Sequence, residues 1–270
     1  MSATATATAI RRTVLTASAV SLALLVTACG GGEDKETKET KGSAKSDKPA
    51  AKALTAAELE KLVVAKGDVK DHKITEPGKK DVFEPGAVSV EKAECDPVGQ
   101  VLSALPAGKP AAGVQRLVVQ EPSAAKQKMP SMEELAEMTE EEAEAATLAT
   151  LDITKTMTSL WSYEADGAEQ TLATLREAGK KCAGGFSMTV DGEKQQVTKV
   201  SEEKFSAGED AVAWTVGTKL EGTAGETKVV VFRQGTTLAG FSSFNIAAVT
   251  RGDAFEQPTA VIEAQASKLG

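Results

Sequence analysis

Histidine is almost missing from this chain of 270 residues: His72 is the only one. A Ser-His-Asp triad would have to use this residue, and a zinc site built on histidines needs more than one. The segment around it, from Lys70 to Lys73, is charged and lies close to a Gly/Pro/Lys-rich stretch. We therefore interpret His72 as a surface residue rather than a catalytic or metal-binding one.

Aromatic residues are also scarce, at 4% of the chain, so Leu, Val, Ala and Met must supply most of the core. This composition does not suggest an aromatic cage for sugars or bases. Trp161, Tyr163 and Trp214 could form a ligand platform, but aromatic residues at strand spacing are more often part of a core, which we favour. The chain has no G-x-S-x-G, P-loop or dinucleotide motif. We predict that the protein is not an enzyme and that it has no catalytic residue, metal site or cofactor.

No apolar run is long enough to predict a membrane-spanning helix. The longest near the start, Val14–Val26, has 13 residues and follows Arg11 and Arg12, whereas a spanning helix needs about 20. A positive start, a short apolar run and small residues before Cys29 are the parts of an export signal. Arg11 and Arg12 leave the twin-arginine and the general export routes both open.

The run ends in Val26-Thr27-Ala28-Cys29, which resembles the lipobox of bacterial lipoproteins. The resemblance implies that residues 1–28 are a lipoprotein signal peptide, removed before Cys29. Cys29 would then carry diacylglycerol and palmitate and attach the protein to the extracytoplasmic face of the cell membrane. The alternative is an ordinary cleaved secretory signal with a chance cysteine.

The segment after Cys29, up to Lys52, contains no Val, Ile, Leu or aromatic residue, and its charges alternate in sign. Such a segment cannot bury enough apolar surface to offset the entropy lost on ordering. We predict a lipidated cysteine and disordered tether over residues 29–52, and a single extracytoplasmic α+β domain over residues 53–270.

Cysteine is limited to three residues, and lipidation of Cys29 would leave Cys95 and Cys182. Disulfides persist in exported proteins, so we predict a Cys95–Cys182 disulfide. The alternative, a pair of free or redox-active thiols, lacks the C-x-x-C spacing typical of such sites.

Basic residues do not cluster on this chain, whose net charge is −8. Nucleic acid binding needs a concentrated basic face, so we predict no nucleic acid partner. Seven acidic residues and no basic ones lie between Glu133 and Glu144. We favour a solvated helix face there over a patch for a divalent cation or a basic partner, because the run lacks the turn glycine of a calcium loop. We attribute the integrin-type tripeptide Arg251–Asp253 to chance, and we expect Gly184-Gly185 to connect a helix to a strand rather than to bind phosphate.

Capping residues mark the expected helix starts. Thr55 and Glu58 form a capping box, with Leu54 and Leu59 at the flanking apolar positions, which predicts a helix that runs to about Ala65. A second helix is expected at Asp96-Pro97, with Asp96 as its cap. Capping boxes at Ser131 with Glu134, at Thr139 with Glu142 and at Asp166 with Glu169 predict three more helices, and a last helix is expected from Pro258.

Alternating apolar residues predict the strands, at 114–120, 151–163, 186–190, 196–200, 211–220, 227–233 and 237–247. We expect the strand 151–163 to bury one face. Short strands joined by tight turns after Cys182, the first of them at Asp191-Gly192, indicate an antiparallel meander. The predicted fold is α+β, an antiparallel meander sheet with helices packed on one face and one disulfide that joins two helix ends.

Five segments carry a family resemblance: Leu54–Leu59, Gly67–Val69, Ala168–Cys182, Val230–Gly235 and Pro258–Leu269. Together they resemble an uncharacterised group of actinobacterial, streptomycete-type cell-surface lipoproteins. A fainter similarity runs to the extracellular sensor domains of mycobacterial membrane kinases, which are disulfide-stapled α+β modules. Neither resemblance transfers a catalytic or ligand-binding residue.

The lipobox, the tether and the lack of a reactive constellation predict a membrane-anchored, extracytoplasmic lipoprotein that acts as a non-catalytic binding or sensor-like module. Its partner would be an envelope protein or a small apolar ligand. The alternatives are a carrier of a lipid or other apolar ligand and a hydrolase that acts on the envelope.

Overall fold

The computed structural model describes residues 51–120, 128–220 and 222–270. The signal peptide, Cys29 and nearly all of the expected tether lie outside these ranges. Lys48–Gly270 form one compact unit. Two apolar clusters and the disulfide lie within it.

The described ranges contain seven α-helices and nine strands. The helices are α1 (Ala56–Leu62), α2 (Asp96–Leu102), α3 (Met132–Glu137), α4 (Glu140–Thr150), α5 (Gly167–Lys181), α6 (Ile246–Arg251) and α7 (Thr259–Leu269). The strands are β1 (His72–Thr75), β2 (Val88–Val90), β3 (Ala112–Gln120), β4 (Thr154–Ser162), β5 (Phe186–Val190), β6 (Glu193–Glu202), β7 (Asp210–Leu220), β8 (Thr223–Gln234) and β9 (Thr237–Asn245).

All nine strands form one antiparallel sheet in the order β1-β3-β4-β9-β8-β7-β6-β5-β2. The run from β5 to β9 is the expected meander, and β9 then pairs with β4. The predicted α+β class with an antiparallel sheet is confirmed. Strand β2 and helix α6 were not predicted.

The turn between β5 and β6 shows how the sequence fixes the meander. Asp191 and Gly192 connect Val190 to its partner Glu193, with φ angles of 50° and 85°. Two consecutive positive φ angles are the requirement of the tight hairpin turn whose twist matches the strands, and Asp-Gly meets it. The predicted Asp-Gly turn is therefore confirmed.

Helices cover both faces of the sheet, which corrects the expectation of one face. One apolar cluster joins α2 and α5 to the sheet, and the second joins α1 and α7 to its other side. Strand β8 shows the reason: Val229 and Val231 belong to the first cluster, whereas Val230 and Phe232 belong to the second. A continuous apolar run of this kind is typical of a strand buried on both faces.

Strand β4 is also buried on both faces, although one was expected. Met157 and Trp161 point to one side and Leu160 to the other, where Thr156 and Thr158 are buried with it. The Thr156 and Ser243 hydroxyls are 2.9 Å apart and form a hydrogen bond between β4 and β9. Small hydroxyl side chains made this face look polar in the sequence.

Three predicted capping boxes are present. In the first, the Glu58 amide donates to Thr55 Oγ1 at 3.3 Å and the Thr55 amide donates to Glu58 Oε2 at 2.8 Å. The Thr55 backbone hydrogen bond lowers the pKa of the Glu58 carboxyl. Equivalent pairs start α3 and α4, Ser131 with Glu134 and Thr139 with Glu142.

Two predicted caps are wrong. Asp96 is the first residue of α2 and Cys95 occupies the N-cap, so the Asp96 side chain caps nothing there. Asp166 does sit at the N-cap of α5, but its carboxylate accepts from Gln170 Nε2 at 2.7 Å instead of from the backbone. Because the Gln170 side chain, one turn further along α5, occupies the Asp166 carboxylate, no capping box with Glu169 forms.

Helix α1 ends at Leu62, earlier than predicted, because Gln265 of α7 takes over its last backbone groups. The buried Gln265 amide donates to the Leu62 carbonyl at 2.8 Å and accepts from the Val64 amide at 2.9 Å. The first bond satisfies a carbonyl that the helix end leaves unpaired, and the second pairs the first backbone amide beyond the C-cap Val63. They also attach α7 to α1 on the second face.

The Cys95–Cys182 disulfide is present, as predicted, and joins two helix ends. Cys95 is at the N-cap of α2 and Cys182 at the C-cap of α5, and both are buried. Helix α5 lies close to the sheet at Gly179, where an added Cβ would come within 2.7 Å of Trp214 Nε1. The disulfide therefore holds α2 against a helix that packs closely on the sheet.

A candidate ligand-binding groove across the sheet

The face of the sheet that carries α2 and α5 is not fully covered. Beyond the C-terminal end of α2, a groove of about 400 Å³ remains open. Its lining comes from β3 through β9, from the end of α2 and from the loop before β2. The apolar lining consists of Phe83, Leu102, Ala104, Leu117, Met157, Val190 and Phe244, and the polar lining of Lys80, Asp81, Ser103, Lys155, Gln195, Thr218, Thr227 and Ser242.

The strand register places the floor of the groove in two rows. Leu117 of β3 lies opposite Met157 of β4, which lies opposite Ser242 of β9. In the next row, Lys155 lies between Val119 and Phe244 in the same way. Residues directly opposite each other project from the same face, so each row forms a continuous strip across three strands.

The groove exposes apolar surface that the fold does not use. Phe244 is 42% exposed, although Ser243 and Asn245 beside it on β9 are buried. Phe83 and Leu102 are half-buried and pack against the cluster under α2 and α5, at the edge of the opening. A concave, mainly apolar site of 300–1,000 Å³ with a few polar groups is typical of small-molecule binding.

The wall formed by α2 is held in place by side chains of the sheet. Ser242 Oγ donates to the Leu102 carbonyl at 2.7 Å, and Gln115 Nε2 donates to the Ala104 carbonyl at 2.7 Å. These bonds satisfy the carbonyls at the end of the helix. Together with the disulfide at the other end of α2, they make the groove a preformed feature.

The charged groups of the groove are two lysines and one aspartate. Asp81 Oδ2 accepts from the Gly78 amide at 2.9 Å and so stabilises its own loop. Neither Lys80, which is exposed, nor Lys155, which is half-buried, makes an ion pair within the part of the chain that the structure describes. The groove therefore offers free positive charge beside apolar surface.

A second polar cluster lies on the opposite face, where its groups bind one another. Lys228 is 8% exposed; its Nζ lies 3.1 Å from Glu203 Oε1 and donates to Thr215 Oγ1 at 2.6 Å. The ring centre of Phe255 is 5.8 Å from Nζ. Burial raises the pKa of Glu203, but hydrogen bonds from Thr215, Gln257 and Lys228 outweigh it and hold the pKa below its usual value. This cluster connects β7 and β8 to the segment before α7.

The predicted aromatic candidates belong to the core. Trp161 and Trp214 are 3% and 2% exposed, and Tyr163 donates its hydroxyl to the Ala107 carbonyl at 2.7 Å. Burial raises the pKa of the Tyr163 phenol. The ligand-platform alternative is wrong, because none of these rings presents a free face.

The remaining candidates do not come together in one site. His72 Nδ1 lies 2.6 Å from the Lys70 carbonyl at the start of β1. Arg251 Nε donates to Asp253 Oδ2 at 2.6 Å, so the ends of the integrin-type tripeptide pair with each other. Gly185 has a φ of +83°, and an added Cβ would lie 2.3 Å from the Val197 carbonyl oxygen, which explains its place between α5 and β5.

The acidic run Glu133–Glu144 forms α3 and the first half of α4. No residue of α3 is buried, and α4 buries only Leu148, so the solvated-face interpretation is confirmed. No group of three or more potential metal ligands occurs within the described ranges.

Comparison with known proteins gives a fold neighbour at low similarity. The chain matches no protein-family description and no curated protein. Among solved structures, it is similar to the extracellular domain of PknH from Mycobacterium tuberculosis, with 11% identity and a TM-score of 0.47. The similarity covers 81% of this chain and 97% of that domain. The neighbour is of the kinase type that the fainter sequence resemblance named, whereas nothing found tests the lipoprotein resemblance.

None of the helices in the described ranges combines the length and the apolar character that crossing a membrane requires.

Proposed function

We propose that this protein is a non-catalytic, extracytoplasmic binding module that takes a small, largely apolar ligand in the groove across its sheet. The observation that carries the proposal is the groove itself, a preformed cavity of about 400 Å³ with exposed apolar side chains. This volume lies within the range typical of small-molecule sites. A sensor-like role and a carrier role both require this binding step.

The groove supports a binding role better than envelope hydrolysis. Glycoside hydrolysis uses two carboxyl groups that flank the scissile bond. Asp81 is the one carboxylate among the described residues that line the groove, and its loop amide already occupies it. The site offers an apolar floor and lysines instead.

We further propose that Cys29 is lipidated and anchors this module in the membrane. The support is the lipobox pattern at Val26–Cys29 after a short apolar run. Labelled palmitate should enter the wild-type chain, and Cys29→Ser should remove the label and release the protein from the membrane fraction. A Cys29→Ser chain that stays equally membrane-bound would contradict the anchor.

Blocking the groove should abolish ligand binding. Thr227 lies in the groove on β8, where a larger aromatic residue suits a strand. In the unlipidated chain 48–270, Thr227→Phe should weaken binding of the neutral fluorescent probe N-phenyl-1-naphthylamine by about tenfold or more, a loss of about 1.4 kcal/mol. Fluorescence titration measures the effect.

The matched control is Thr223→Phe, which places the same ring at an exposed position near the tip of the same strand. This variant should bind the probe as the wild type does, and both variants should keep the wild-type circular dichroism spectrum. Failure of the wild type to bind the probe, or equal binding by Thr227→Phe, would contradict the proposed function.

A further inference from the structure

The sheet places a half-buried lysine, which has no ion-pair partner among the described residues, between two apolar side chains. Lys155 lies between Val119 and Phe244 in the floor of the groove, and Lys73 lies opposite Val119 on its other side. Desolvation is costly for an ammonium group that nothing pairs. An anionic group at this position would be favoured, because it would give this half-buried lysine a partner of opposite charge.

Lys80 adds a second positive charge to the same cavity from the loop before β2. Asp81 is the opposing charge in the lining, and its carboxylate is directed to the Gly78 amide at 2.9 Å. The two lysines therefore favour an anion over a neutral or cationic ligand.

The rest of the groove has room for a single chain. Its lining extends from Leu117 on β3 to Val190 on β5, across seven adjacent strands. Its volume of about 400 Å³ lies near the lower end of the range of small-molecule sites, about 300–1,000 Å³. A site of this size favours one unbranched chain over a lipid with two.

We propose that the groove binds a single-chain carboxylate amphiphile, of the fatty-acid type, with its carboxylate at Lys155 and Lys80 and its hydrocarbon chain across Phe244 toward β5. This inference rests on the proposed function and specifies its ligand class. The two lysines provide charge-assisted hydrogen bonds, which are stronger than neutral ones. Met157 and Phe244 supply the apolar contacts beside the head group.

The test uses cis-parinaric acid, a fluorescent single-chain carboxylate, and its methyl ester, which has the same chain and no charge. The chain 48–270 should bind the acid about tenfold more tightly than the ester, as expected for one hydrogen bond to a charged group. Lys155→Met should weaken binding of the acid by about tenfold and leave binding of the ester unchanged. Lys155→Arg should retain most of the affinity for the acid.

Lys199→Met is the matched control, because Lys199 is an exposed strand lysine on β6 outside the groove lining. It should change neither affinity. Oleate should displace the bound acid, whereas a soluble two-chain phosphatidate should not. Equal affinity for acid and ester, no selective effect of Lys155→Met, or displacement by the phosphatidate would overturn this inference and leave the groove as a binding site. Binding of neither probe would overturn the proposed function as well.

Discussion

Removing the Cys95–Cys182 disulfide should lower the free energy of unfolding by about 4–5 kcal/mol. The two cysteines are 87 residues apart, and the chain-entropy model assigns this much to closing a loop of such length in the unfolded state. That amount is comparable to the whole net stability of many small domains, about 5–15 kcal/mol. The double variant Cys95→Ala/Cys182→Ala should therefore be unfolded or nearly so at 37 °C.

Urea denaturation of the chain 48–270 with and without dithiothreitol measures this effect. Reductant should shift the midpoint of the wild type strongly and leave the midpoint of the double variant where it is. Equal midpoints of the oxidised wild type and the double variant would show that the bond does not stabilise the fold.

Trp161→Ala should destabilise the fold by about 3–5 kcal/mol, the usual cost of deleting a buried tryptophan side chain. The ring is 3% exposed, and an added Cβ on Gly240 of β9 would lie 2.5 Å from it, so the ring rests directly on the neighbouring strand. The substitution would leave a cavity between the sheet and α5.

Phe244→Ala is the control for this prediction, because Phe244 is on the same face but 42% exposed. Its stability should change by less than about 1 kcal/mol, as is usual for an exposed position. Chemical denaturation measures the free energy of unfolding of both variants. A Trp161→Ala chain with wild-type stability would contradict the assignment of this ring to the core.

Local signals in the sequence predicted local structure well. Capping boxes located the starts of α1, α3 and α4, because a hydroxyl and a glutamate three residues apart satisfy each other's backbone without help from the rest of the fold. Asp191-Gly192 located a turn for the same reason. The disulfide followed from the small number of cysteines.

Long-range packing was less visible. The end of α1 depends on Gln265, which is 203 residues away from Leu62. Burial of the second face of β4 includes Thr156 and Thr158. Threonine occurs on exposed strands as readily as on buried ones, so these residues did not indicate burial in the sequence. The run Val229–Phe232 was the one clear signal of burial on both sides.

The groove could not be predicted from sequence, because its lining is collected from residues far apart in the chain. Phe83, Lys155 and Phe244 come from three separate segments and share no motif. Phe244 is an even number of residues from the buried Leu238 on β9, which is the spacing expected of two residues on the same buried face. Only the end of α2 decides which part of that face stays uncovered.

The position of β9 has a consequence for how the chain reaches its native state. This last strand is inserted between β4 and β8, so the two halves of the sheet cannot join until the chain is available through Asn245. Until then β4 and β8 both present bare edges, to which strands of other molecules can pair. Pairing between such distant segments also makes folding slow. Shortened forms that end before Thr237 would therefore be prone to aggregate.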